Sequence, residues 1–149
     1  MFVDIFIQKI STPLHLITSI YAMRQLSPRS SDYYSMKRSA HYGKSLANLA
    51  PEGSESRASV WASVRDAFRE FDKWTNVNGN GSTFIMGETL CFADVAVASY
   101  LTWFKRLMGT RSTEWQELMS AENGRWRKLV EVFSVWEVVD KDGLAQVIN

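Results

Sequence analysis

Apolar residues recur at helical spacing along most of the chain. The cleanest row is Trp61, Val64, Phe68 and Phe71, opposed by Arg65, Asp66, Arg69 and Asp72, which predicts an amphipathic helix from about Ser56 to Thr75. Upstream, Thr12-Pro13 carries the cap-then-proline signature of a helix start, followed by the adjoining rows Leu14, Ile17, Tyr21 and Leu16, Ile20, Met23. Residues 1–10 alternate loosely and fit a strand, a helix or a packed arm. Ser27-Pro28 ends or kinks the first helix, because proline disfavours α geometry in the residue before it. Ser30 or Ser31 can cap a second helix containing Tyr33, Tyr34, Arg38, Tyr42 and Leu46, which Leu49 to Ser54 breaks. Asn76 to Ser82 is a loop by composition, and Thr83 to Gly87 is a short extended piece.

The stretch from Leu90 to Phe104 lacks a polar face. Ala93, Val95, Ala96, Val97, Ala98, Leu101 and Phe104 point in every direction at helical spacing, so the helix over about 91–108 is expected to be covered on all sides. It is too short for a bilayer and carries Asp94 and Lys105-Arg106. With Cys91 as N-cap, Asp94 falls at the third helical position, where its carboxylate reaches back to the cap amide. Leu90 and Val95 then occupy the two positions of a hydrophobic staple. Gly109-Thr110 ends this helix and Ser112 to Met119 is a short one. Asn123 can cap the last, in which Trp126, Leu129, Val130, Phe133 and Trp136 form an apolar row. The tail after Asp140 is weakly patterned. The pattern is all-α, five to seven helices in one domain over residues 1–149.

Composition narrows the picture. At 46% apolar and 13% aromatic, the 149 residues can build a sizeable core and do not read as disordered. Seventeen basic against 16 acidic residues, with no basic stripe, speak against nucleic acid or an anionic membrane as main partner. One cysteine excludes an internal disulfide framework and fits a reducing compartment. The N-terminal run carries Asp4 and Lys9 and has no basic region before it. Neither a signal peptide nor a membrane anchor is expected, and the expected location is cytoplasmic.

Candidate chemistry is sparse. Cys91 at a helix N-terminus can have a lowered thiol pKa; as a small buried cap residue it would be inert. Tyr34, Arg38 and His41 share one helical face and can bind an anion or supply acid–base groups, or simply be solvated. His15 and His41 lie far apart and, with one cysteine, offer no metal-ligand spacing, so no metal is expected. Gly79-Asn80-Gly81 is no phosphate loop, lacking the strand before it and the lysine after it. No serine–histidine–aspartate arrangement with a nucleophile elbow is present.

Three stretches, in order, carry a resemblance. Phe84 to Ala98, with its Gly87, Ala93-Asp94 and capping pair, is similar to the entry of the central helix in the C-terminal domain of cytosolic glutathione transferases. Leu26-Ser27-Pro28-Arg29-Ser30-Ser31-Asp32-Tyr33-Tyr34 with Lys37-Arg38, Tyr42-Gly43 and Leu46 resembles the second helix of the fungal enzymes of secondary metabolism. Asn123 to Leu129 with Val139-Asp140 resembles that subgroup's last helix and exit. The family cap is Ser or Thr, so Cys91 is a departure, and replacing a good cap costs ~1 kcal/mol.

The resemblance implies a helical bundle whose first and central helices line a hydrophobic co-substrate pocket. Tyr21, Arg24, Tyr100, Trp103 and Phe104 then become candidate site residues, with Tyr34, Arg38 and His41 as further catalytic candidates; for Trp103 and Phe104 ordinary core is the competing reading. Aromatics with a few polar tips suit a flat, apolar small molecule. The family's N-terminal thioredoxin-like domain, which holds glutathione, has no counterpart in residues 1–11. The expectation is therefore a small-molecule enzyme binding a hydrophobic substrate of the fungal natural-product type and catalysing a glutathione-independent isomerisation, cyclisation, dehydration or addition. It needs no cofactor of its own, glutathione entering only if a thioredoxin-like partner domain is supplied. The alternatives are a truncated or split glutathione transferase and a non-catalytic helical interaction module. A homodimer or a partner-chain complex is the expected assembly.

Overall fold

In the computed structural model, residues 2–77 and 81–137 are described, and six α-helices account for most of them. Helix α1 runs unbroken over Phe2–Arg24, so the start expected at Thr12-Pro13 is corrected: Pro13 lies inside the helix. An interior proline costs about 3 kcal/mol through its lost amide and its clash with the preceding turn. Phe6, Ile10, Leu14 and Ile17 keep one register across it and are all buried. At about 1.5–3 kcal/mol per buried side chain, their packing outweighs that penalty.

Helix α2 spans Pro28–Tyr42, with Ser27 as N-cap and Pro28 opening it. The cap is therefore neither Ser30 nor Ser31, because proline's fixed φ suits the first helical position. Gly43, at φ 67°, ends the helix in the left-handed conformation before Leu46, which instead sits buried in a 3-10 turn, Leu46–Asn48. No residue of α2 is buried.

Helix α3, Glu55–Asn76, is capped by Ser54, whose hydroxyl accepts from the Arg57 amide at 3.1 Å. Its inward row packs against α1: Phe6 meets Phe68 and Phe71 at ring-centroid distances of 5.8 and 5.0 Å. The opposing polar row is not wholly solvated. Asp72 accepts a 2.8 Å ion-pair contact from Arg125 Nε, and Asn76 Oδ1 accepts from the same guanidinium at 2.9 Å.

Two isolated bridges, Phe84 with Gly87 and Met86 with Thr89, shape the extended piece that enters α4, Phe92–Met108. Cys91 is the N-cap. The fully buried Asp94 carboxylate accepts from the Cys91 amide and from the Ile85 amide, both at 2.8 Å, so one side chain fixes the helix start and the approach of the chain. The Cys91 thiol lies over the Asp94 amide to complete the reciprocal box, although sulfur is a weak acceptor. Gly109, at φ 79°, ends the helix.

The expectation that α4 is covered all round does not hold among the described residues. Val97, Ala98, Leu101 and Phe104 are buried, whereas Phe92 is 74% exposed and Leu90, Val95 and Ser99 also face outward. Helix α5, Thr113–Ser120, is capped by Ser112, which accepts from the Trp115 amide. Helix α6, Arg125–Phe133, begins after Gly124, not at Asn123: Asn123 is itself left-handed at φ 56°, which a short polar side chain tolerates, and the cap passes to the next residue. Trp126, Leu129 and Val130 are buried, but Trp136 lies in a following 3-10 turn, Ser134–Trp136, and is 65% exposed. The exit expected at Val139-Asp140, the tail, the loop centre at 78–80 and Met1 lie outside the described residues.

The core is aromatic. Trp61 stacks on Phe104 at 5.7 Å with 13° between the rings, Phe104 meets Trp115, and Phe68 meets Trp126 edge-on. Among the described residues no helix is long and apolar enough to cross a membrane.

Candidate functional site

The outward face of α4 is one wall of an apolar groove of about 680 Å3. Val95, Ala98, Thr102 and Trp103 form its floor, Leu90 closes the end at the helix entry, and Phe133 and Trp136 stand opposite. The staple positions Leu90 and Val95 are thus groove-lining residues as well. The polar lining residues are few: Thr102; Ser99, whose hydroxyl donates to the Val95 carbonyl at 2.7 Å; Arg106; and Glu137, which pairs with Lys105 Nζ at 3.0 Å. A concave, mainly apolar surface with a few polar groups at its edge is the usual form of a site for small hydrophobic molecules.

A second, smaller cleft of about 280 Å3 is lined by His15, Ser99, Tyr100 and Trp103. Trp103 and Ser99 belong to both concavities. The His15 and Trp103 rings are 5.2 Å apart, and Tyr100 leans edge-on against Phe6 and Trp103. His15 Nδ1 lies 2.6 Å from the Ser11 carbonyl.

The expected site residues do not form one constellation. Trp103 and Tyr100 are half-buried around the two concavities, whereas Phe104 is 1% exposed and belongs to the core stack. Tyr21 is directed elsewhere, into a polar pocket of about 370 Å3 with Glu52, Arg57, Arg111 and Glu114. There its hydroxyl donates to the Glu52 carboxylate, and the Arg57 guanidinium lies over its ring at 5.7 Å. Burial, then the Glu52 hydrogen bond, pushes the Tyr21 phenol above its ordinary range. Arg57 is in turn engaged by Glu114, its Nε and Nη2 each 2.7 Å from Oε1. Tyr21 with Glu52 and Arg57 with Glu114 thus engage one another, and the pocket acts as a tie between α1, α3 and α5.

Arg24 lies over the Tyr21 ring at the end of α1. Tyr34, Arg38 and His41 sit on the exposed α2: Arg38 covers the Tyr34 ring at 5.5 Å and His41 rests against Tyr42. They are not brought to Tyr21 or to the groove. Cys91 stands at the α4 entry with its thiol pKa raised, by burial first and then by its contact with Asp94, the opposite of an activated nucleophile. Among the described residues no three His, Cys, Asp or Glu side chains gather as a metal-holding group. His15 is the residue that reasoning from sequence passed over: its neighbours Ser99 and Trp103 come from a helix more than eighty positions away.

The family model described as "Glutathione S-transferase, C-terminal domain" matches residues 1–136. The glutathione S-transferase-like protein ustS of Aspergillus flavus is 25% identical over 114 residues, which is 74% of this chain and 40% of that protein. A glutathione S-transferase of Ceriporiopsis subvermispora, solved in complex with glutathione, superposes with a TM-score of 0.88 at 31% identity, covering 94% of this chain and 56% of the other. The glutathione transferase GSTFuA2 of Phanerochaete chrysosporium superposes at 0.80 with 27% identity, covering 93% and 54%. The chain thus spans about half the length of the relatives it matches.

Proposed function

The chain belongs to the glutathione S-transferase family, through that family's C-terminal helical domain, and from that premise we propose that it is a small-molecule enzyme whose α4 groove binds a hydrophobic metabolite. The observation that carries this reading is the groove itself, some 680 Å3 of mainly apolar surface bounded by Leu90, Val95, Trp103 and Trp136. The polar tips nearby are few, so the reaction is one that positioning and one or two hydrogen-bonding groups can serve: a glutathione-independent isomerisation, cyclisation, dehydration or addition. The kinship with a transferase-like protein of a filamentous fungus supports a biosynthetic setting.

The test is a panel of flat apolar metabolites titrated against the intrinsic tryptophan fluorescence, with product formation followed by mass spectrometry. Trp103→Ala is expected to weaken binding of every ligand that the native protein retains. Native protein that binds none of the panel would remove the reading.

A second reading is favoured by a specific observation. The chain covers about half of relatives of which one was solved holding glutathione. On this reading the groove is one half of a shared site, and a thioredoxin-like domain supplies glutathione from the same or another chain. Calorimetric titration of glutathione into the chain mixed with the thioredoxin-like domain of such a relative separates the two: heat no greater than that of the added domain alone is expected, and tighter binding in the mixture would favour the shared site.

A further inference from the structure

We propose that His15 is the proton-accepting group of a ligand site formed with Trp103, and that the site takes a flat aromatic ring bearing a hydrogen-bond donor at its edge. The proposal rests on the groove reading above, because the cleft and the groove share Trp103 and Ser99. Two features make His15 more than another half-buried side chain.

The first is its fixed tautomer. Nδ1 is 2.6 Å from the Ser11 carbonyl oxygen, which can only accept, so Nδ1 carries the proton. In the neutral ring Nε2 is then the acceptor. Among the described residues Nε2 makes no hydrogen bond, while the imidazole lines a cleft of about 280 Å3. A histidine oriented through one nitrogen and unengaged at the other is the arrangement that proton transfer requires.

The second is the company it keeps. The His15 and Trp103 rings lie 5.2 Å apart at 44°. The indole also walls the groove, which places an apolar stacking surface directly beside the acceptor. An aromatic ligand lying on Trp103 can therefore direct an O–H or N–H at Nε2. The proton moves from the donor atom to Nε2, leaving the electron pair on the ligand and a cationic imidazolium whose Nδ1–H still faces Ser11.

The experiment compares 7-hydroxycoumarin with 7-methoxycoumarin, which differ in the donor alone. The native chain is expected to bind the hydroxy compound about five- to tenfold more tightly, the worth of one hydrogen bond. His15→Phe keeps a ring beside Trp103 and is expected to erase the preference while still binding the methoxy compound. In 15N spectra, Nε2 of His15 in the native chain should shift on adding the hydroxy compound and stay put with the methoxy one. Equal affinity for the two coumarins in the native chain overturns the proposal and leaves the groove reading standing. Failure to bind either overturns both. A preference that persists in His15→Phe assigns the acceptor elsewhere and overturns the role of His15.

Discussion

Replacing Asp94 with alanine is the most informative single perturbation of this fold. The carboxylate is fully buried and accepts two backbone amides at 2.8 Å, one from Ile85 in the entering chain and one from the Cys91 cap. Hydrogen bonds to a charged partner contribute about 1.5–3 kcal/mol each, so removing the acceptor for both costs roughly 3–6 kcal/mol. The native state also bears a desolvation cost for burying the carboxylate, which places the net loss near the lower end, about 3–4 kcal/mol. For a chain of this size each kcal/mol moves Tm by about 2–4 °C, so Asp94→Ala should melt roughly 6–16 °C lower. Asp94→Asn preserves one acceptor but turns an N–H toward a backbone N–H, and should fall between the two. Urea unfolding followed by tryptophan fluorescence reads the loss as a lower midpoint at unchanged slope. Asp94→Ala within about 1 kcal/mol of native, or Asp94→Asn fully as stable, would refute the two-amide account.

Cys91→Ser supplies the oxygen acceptor that the cap lacks and should stabilise by about 0.5–1 kcal/mol in the same urea assay. Because partial burial and Asp94 raise the Cys91 thiol pKa, iodoacetamide at neutral pH should alkylate native protein roughly tenfold more slowly than protein in urea; equal rates would contradict the half-buried cap. Arg125→Met strands the partly buried Asp72 and should cost about 3–5 kcal/mol, with Asp72→Leu added to it recovering part of the loss. Glu122 is held above its ordinary value by burial first and then by the nearby Asp72 charge, against the lowering effect of the Trp126 hydrogen bond. A raised carboxyl pKa contributes stability only while protonated and loses it as pH rises. Glu122→Gln should therefore melt above native at pH 7, the gap closing as pH falls below the ordinary value of 4.5; a gap that widens in acid would reverse the sign of the argument.

What could be read from sequence was what is local. The α4 entry, with Cys91 and Asp94 three residues apart, is complete within one turn, and so was legible. The first half of α1 was not, because the breaker Pro13 weighed more than the register of Phe6, Ile10, Leu14 and Ile17 running through it. Asn123 suits a cap by residue type, but its left-handed backbone puts it one residue too early. The site divided for a geometric reason. His15 and Tyr21 are six residues apart, roughly 240° around a helix, so they cannot both face Trp103. The family resemblance makes Tyr100 and Trp103 candidates, but pairing them with His15 needs the packing of α1 on α4, which no local pattern encodes. Among the described residues the same packing leaves one side of α4 uncovered, where an all-apolar sequence suggests full enclosure.

Helix α2 contributes no buried residue to the core. Substitutions along Arg29, Tyr33, Met36 and Lys37 are therefore screened by whatever this helix meets and scarcely at all by folding. Its outward side chains can therefore change, and new associations arise there, without first unsettling the bundle beneath.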